Sequence, residues 1–138
     1  KVIAAKVTEW TEGWALIRNN VDGTKVEILT VLTTGGLKDV LSPANTIVAD
    51  RWFFIGFTFS GIALTLYVDN LIRATSTFAS DTIVATTKPL TIGNRDATNN
   101  DGWAGNIAGV WMYNRVLNQL EITQLYTNPY GMILKQED

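Results

Sequence analysis

The sequence predicts an all-β fold, an antiparallel β-sandwich with one short helix near residues 118–126. Three observations predict it. Val, Ile, Thr and aromatic residues are abundant, and Pro occurs only three times; such side chains suit a pleated, half-buried surface. Turn-forming residues recur about every ten positions, the spacing of a sandwich or barrel. Between Trp52 and Val68 the apolar side chains alternate with period two, which places them on one face of a strand.

Each element follows in order. Residues 2–5 form a short apolar run. Residues 14–18 and 25–33 flank a polar stretch containing Asp22-Gly23, a strong tight-turn pair, and so read as a hairpin. Residues 33–50 carry Gly35-Gly36 and Ser42-Pro43 and read as loop, with one short strand near 46–48. Phe53, Ile55, Phe57 and Phe59 share one phase of a strand and Trp52, Phe54, Gly56 and Thr58 the other. After Ser60-Gly61, Ile62, Leu64, Leu66 and Val68 alternate again. Asp69-Asn70 closes this second hairpin, because both residues tolerate left-handed backbone. Residues 71–77 return. Residues 80–88 are polar and loop-like, with a brief pairing expected at 82–85. Residues 90–93 read as a short strand and 94–101 as an exposed loop. A last strand is expected at 103–113, with Ile107, Val110 and Met112 inward and a bulge between the first two. Asn118 is placed to cap the helix and Glu121 follows at capping-box spacing. Pro129 stops it.

The length of 138 residues corresponds to one domain. Folding would bury roughly two-thirds of the unfolded surface, enough for a real core. The net charge of −2 gives no broad attraction to nucleic acid or anionic lipid. No run of about 20 apolar residues is present to enter a membrane as a helix. There is no Cys and no His. Disulfides, thiolate or imidazole metal sites, Cys nucleophiles and His general bases are therefore excluded.

Four motifs, in order, carry a resemblance. They are Trp52-Phe53-Phe54-Ile55-Gly56-Phe57-Thr58-Phe59; Leu64-Thr65-Leu66-Tyr67-Val68-Asp69-Asn70; Leu90-Thr91-Ile92-Gly93; and Gly105-Asn106-Ile107 through Tyr113-Asn114-Arg115-Val116-Leu117, followed by Glu121-Ile122 and Leu125-Tyr126. Together they resemble the laminin-G-like members of the concanavalin A-like lectin/glucanase superfamily. Ahead of them, Ile3-Ala4-Ala5-Lys6 and Gly13-Trp14-Ala15-Leu16 resemble an earlier stretch of that family. The resemblance implies a jelly-roll sandwich spanning 1–138 as one domain. It also implies strands ahead of residue 1, so the chain is expected to be the C-terminal portion of a larger domain or chain. A second copy or another chain is expected at the sheet edge those strands would cover. Two acidic positions of the family pattern are Ala108 and Gly109 here, so no role passes to them.

Hydrolases of this superfamily need paired carboxylates facing each other across the sugar bond, about 5 to 9 Å apart. No Glu-x-Asp-x-Glu run exists. Glu9 and Glu12 are three apart, which on a strand means opposite faces. No catalytic residue is expected, and the chain reads as a non-enzyme. The polar loop 94–101 is the richest in chemistry. Asp96, Asn100 and Asp101 offer the hard oxygens Ca²⁺ takes, and Ca²⁺ is the one cofactor expected. The alternative is a plain turn-rich loop, whose Asn, Asp and Thr are chosen by backbone geometry. Arg95, Asn99 and Trp103 lie in or beside that loop, and with Trp10 and Trp14 they form the candidate ligand-binding set: aromatic faces for a pyranose and polar groups for its hydroxyls. Trp52 is assigned to structure, and Arg115 to tethering the last strand to the helix. The expected function is a carbohydrate-binding or adhesion module of an extracellular, cell-surface or virion-surface protein, with a glycan or surface protein as ligand. A structural module of a fibre, phage or virion surface is the alternative, and a glycoside hydrolase fragment is a third reading, open only if the strands expected ahead of residue 1 carry the carboxylates.

Overall fold

The computed structural model describes residues 1–95 and 101–131. Two antiparallel sheets face each other. The larger is built from β1 (Val2–Thr8), β2 (Glu12–Arg18), β3 (Val26–Leu32), β4 (Gly36–Leu41) and β8 (Thr91–Ile92), in the order β4-β3-β2-β1-β8. The smaller holds β5 (Ile55–Phe59), β6 (Ala63–Val68) and β7 (Leu71–Thr77), in the order β5-β6-β7. One helix, α1 (Gln119–Thr127), follows.

The turns form for local reasons. Between β2 and β3, the Asn19 side-chain oxygen accepts from the amides of Val21 and Asp22 at 2.9 and 2.8 Å. Asp22 accepts from the Thr24 amide at 3.0 Å and its hydroxyl at 2.6 Å. Between β6 and β7, Asp69 and Asn70 hold φ of 51° and 64°, the left-handed pair a two-residue hairpin turn demands. Glu9 and Trp10 do the same at the β1–β2 tip, with φ of 41° and 64°. At Gly13 (φ +82°) a Cβ would run into the Lys6 carbonyl oxygen, so only glycine serves there.

The core lies between the sheets. Leu16, Val26, Ile28 and Val40 of the large sheet meet Leu64, Leu66 and Val68 of the small one, with Ile47 inserted beside them. Leu64 and Leu66 are 0% exposed. Phe53, Ile55, Phe57 and Phe59 pack against this cluster but are only partly buried. β6 is covered on both flanks by β5 and β7, whereas β5 ends its sheet. A second cluster on the other face of the large sheet comprises Val2, Ala5, Val7, Ala15 and Ile17, with Trp10 and Leu29 against it. A third seats the helix: Ile122 and Leu125 pack on Tyr67 and Leu117, with Phe54 and Trp111 alongside.

Three expectations are corrected. The strand after β3 is β4, not a segment at 46–48; Gly36, at φ +64°, turns the chain so that Leu32 pairs with Gly36 and Glu27 with Leu41. Ile47 still enters the core, as a buried plug on a loop. Residues 103–113 join neither sheet. Val110 and Met112, expected inward, are 39% and 57% exposed. A strand needs a neighbouring edge for its amides; among the described residues β5 has no strand beyond it, and a cavity lies between it and this segment. Trp52, expected to be structural, is 64% exposed. It precedes the first β5–β6 pair, Ile55 with Val68, and its phase is opposite to that of Phe53.

Other local readings hold. The isolated pairing of Ile83 with Leu32 falls inside 82–85, and Asn118 caps the helix with Glu121 completing the box.

Candidate recognition rim

Along the β1–β8 edge of the large sheet, the side chain of Trp10, from the β1–β2 tip, meets the chain following β8. The pairings of Ala4 with Ile92 and Ala5 with Thr91 fix β8 beside β1. Gly93 N–H donates to the Ile3 carbonyl at 2.8 Å, and Val2 N–H to the Asp101 carbonyl at 2.8 Å. These bonds place Arg95 and Asp101 along the first half of β1, and the Trp10 side chain, packed back over the Val2, Ala5 and Val7 face, reaches Arg95 there. The Arg95 guanidinium lies 5.1 Å from the centre of the Trp10 ring and 3.5 Å from the Asp101 carboxylate. A cation over an indole face is worth about 1 kcal/mol at a partly exposed site. Trp10 also packs on the Val2–Ala5–Val7 cluster. Its ring is therefore sandwiched, and a pyranose would stack on it only by displacing Arg95. The polar groups beside that ring are the Arg95–Asp101 ion pair, their side chains 16% and 32% exposed, of a kind suited to hydroxyl groups.

The expected set thus divides. Trp10, Arg95 and Asp101 converge. Asp96, Asn99 and Asn100 lie outside the described residues. Trp14 points the other way, into the space between the sheets, with its ring 5.1 Å from that of Phe57. It shares the phase of Leu16, two residues on, which is the sequence signal for that orientation. Trp103 donates its amide to the Gly93 carbonyl at 2.7 Å and lines, with Trp14, a cavity of ≈ 1440 Å³ bounded by β5 and residues 103–117. Among the described residues, no group of three or more acidic side chains is placed to hold a metal ion. Of the expected Ca²⁺ ligands, Asp101 is described, and the guanidinium beside it competes with a cation for its carboxylate.

Most other carboxylates with resolved partners have structural work. Asp81 accepts from the Thr34 hydroxyl at 2.6 Å and from the amides of Gly35 and Thr82 at 2.8 Å each. The Thr34 hydroxyl first, and these amides with it, hold its pKa at about 2. It pins the β3–β4 turn to residues 81–82, a latch that sequence spacing did not reveal. Glu27 accepts from the Asn19 amide group at 2.6 Å. Asp69 is paired with Arg51 and accepts from the Phe54 amide at 3.0 Å.

The comparisons agree with this architecture. A laminin-G-type family model, described as the concanavalin A-like lectin/glucanases superfamily, matches residues 2–123. The chain is also similar to the 2.1 Å crystal structure of an S-layer domain-containing protein (residues 221–444) from Clostridium thermocellum ATCC 27405. The TM-score is 0.51 at 20% identity, covering 91% of this chain and 64% of that one. The chain therefore spans less than two-thirds of that structure. No curated protein matches.

Proposed function

Because the chain belongs to the concanavalin A-like lectin/glucanases superfamily, we propose that it is a non-catalytic carbohydrate-binding or adhesion module of a larger extracellular or surface protein. The observation that carries this reading is the convergence of Trp10, Arg95 and Asp101 on one rim. Two charged, hydrogen-bonding groups are held there beside an aromatic ring, with Arg95 oriented before any ligand arrives. Pre-orientation of this kind lowers the ordering cost of binding. The non-catalytic part rests on the carboxylates. Glu121, Glu27, Asp69 and Asp81 serve a cap, a strand end and two turns, and glycoside hydrolysis needs two acids facing across one bond. The surface location is supported by the similar S-layer domain-containing protein.

The test is a glycan array probed with the wild-type chain and with Arg95→Ala, with and without Ca²⁺. Binding to one class of glycan, weakened about ten-fold or more by the substitution, is the expected outcome, since a hydrogen bond to a charged group is worth about 1.5–3 kcal/mol. Absence of binding by the wild-type chain at high concentration in both conditions sinks the carbohydrate reading. A specific observation favours one alternative in that event, a structural module of a surface, fibre or virion assembly. It is supported by the edge of β5, which has no strand beyond it among the described residues, and by the cavity beside it.

A further inference from the structure

The two members of the rim's ion pair are not equally accessible. The Arg95 side chain is 16% exposed and that of Asp101 32%. The guanidinium lies 5.1 Å from the centre of the Trp10 ring, and Trp10 in turn packs on the apolar cluster of Val2, Ala5, Val7, Ala15 and Ile17. Arg95 is thus tucked between an indole face and a carboxylate 3.5 Å away. It is fixed at its backbone as well. Its amide donates to the Asn94 side-chain oxygen at 2.9 Å, and its carbonyl accepts from the Thr91 hydroxyl at 3.2 Å. A ligand arriving at the pair meets the carboxylate more than the cation, and a carboxylate only accepts hydrogen bonds.

The strands beneath add no charge to this face. Val2, Ala5 and Val7 of β1 and Ala15 and Ile17 of β2 form it. The basic residues of these strands are engaged elsewhere: Lys6 donates its ammonium to the Lys88 carbonyl at 2.8 Å, and Arg18 lines the cavity with Trp14, as does Lys1. An anionic group drawn to Arg95 would have to replace Asp101 as the partner of the guanidinium, leaving a half-buried carboxylate opposed by a like charge. Like charges brought together at an interface are costly. Hydroxyl groups meet no such barrier, because each donates to the carboxylate while the ion pair stays closed.

We propose, on the carbohydrate reading of this same rim, that its ligand class is a neutral glycan whose hydroxyls donate to Asp101, and that the Arg95–Asp101 pair excludes sulfated, sialylated and uronate-bearing glycans. Asp101 is the residue that sets the specificity, and Arg95 is the positioning residue that holds it.

The experiment uses one array carrying neutral hexose and N-acetylhexosamine oligosaccharides beside sulfated, sialylated and uronate-bearing counterparts. It is probed with the wild-type chain and with Asp101→Asn. Wild-type binding should favour the neutral glycans about ten-fold or more and change less than about two-fold between about 0.05 and 0.5 M salt. Asparagine keeps an acceptor oxygen and loses the charge. Asp101→Asn should therefore weaken neutral binding about five-fold and strengthen charged-glycan binding about ten-fold, a gain that fades with added salt. A wild-type chain that binds charged glycans as well as neutral ones overturns the inference and leaves the carbohydrate reading in place. So does a folded Asp101→Asn variant with an unchanged neutral-to-charged ratio. The wild-type ratio and its salt response decide on their own if the variant does not fold. An array left empty by the wild-type chain removes the inference together with the reading it rests on.

Discussion

Arg115 and Glu121 form a two-pronged ion pair, Nη1 to Oε2 at 2.9 Å and Nη2 to Oε1 at 2.6 Å. Glu121 Oε2 also accepts from the Asn118 amide at 2.9 Å, while Asn118 Oδ1 accepts from the Glu121 amide at 3.0 Å. One carboxylate thus ties the segment after 113 to the first turn of α1, and the helix then drops Ile122 and Leu125 onto Tyr67. Asn118→Ala removes the cap and should destabilise the protein by about 1 kcal/mol. A urea titration with an unchanged midpoint would show that the box contributes nothing.

The acid side of the stability profile follows from two carboxylates. The Arg115 guanidinium, and then the Asn118 amide, hold Glu121 at about 2; the Thr34 hydroxyl and neighbouring amides hold Asp81 at about 2. A carboxyl whose folded-state pKa is depressed adds stability above its unfolded value. That stability is lost as pH falls through the folded value. The melting temperature should therefore be level above about pH 5 and decline between about pH 4.5 and 2. Asp81→Asn should lower the plateau and flatten the decline. Melting curves unchanged down to pH 2 contradict this assignment.

Core and cavity wall should respond differently to truncation. Leu66 is fully enclosed, so Leu66→Ala should cost about 2–5 kcal/mol. Met112 stands 57% exposed beside the cavity, and Met112→Ala should stay within about 0.5 kcal/mol. Chemical denaturation of the two variants decides; equal losses would mean that residues 103–113 are packed as tightly as β6.

Gly13 is required by its backbone. Its φ of +82° and the Lys6 carbonyl next to the site of a Cβ leave no room for a side chain. Gly13→Ala should cost more than the ~1 kcal/mol such a substitution typically gains at compatible sites. A variant as stable as the parent would show that the β1–β2 register relaxes at that point.

Much of this fold is legible because its hairpins are local. Alternation from Phe53 to Val68 places β5 and β6, Asp69-Asn70 closes their neighbour, and Asn118 with Glu121 starts the helix. β4 is missed because it is an edge strand. Leu37 is exposed, Lys38 and Asp39 break the apolar pattern, and only Val40 is buried. Residues 103–113 are over-read for the complementary reason. Alternation says which side chains would face inward, but a strand exists only where a neighbour accepts its amides. The rim is partly legible. Arg95 and Asp101 stand out by composition, yet their meeting with Trp10 depends on β8 pairing with β1 across some 85 residues. Trp14 does not join Trp10, because its phase matches that of Leu16 and its ring lies against Phe57 in the core.

The most direct test of the account is methyl NMR on the 138-residue chain. Two sheets enclosing one core predict nuclear Overhauser contacts from Leu16, Ile28 and Val40 of the large sheet to Leu64 and Leu66 of the small one. Contacts confined within each sheet, with none between these two groups, would contradict the sandwich and remove the basis for the rim and the cavity alike.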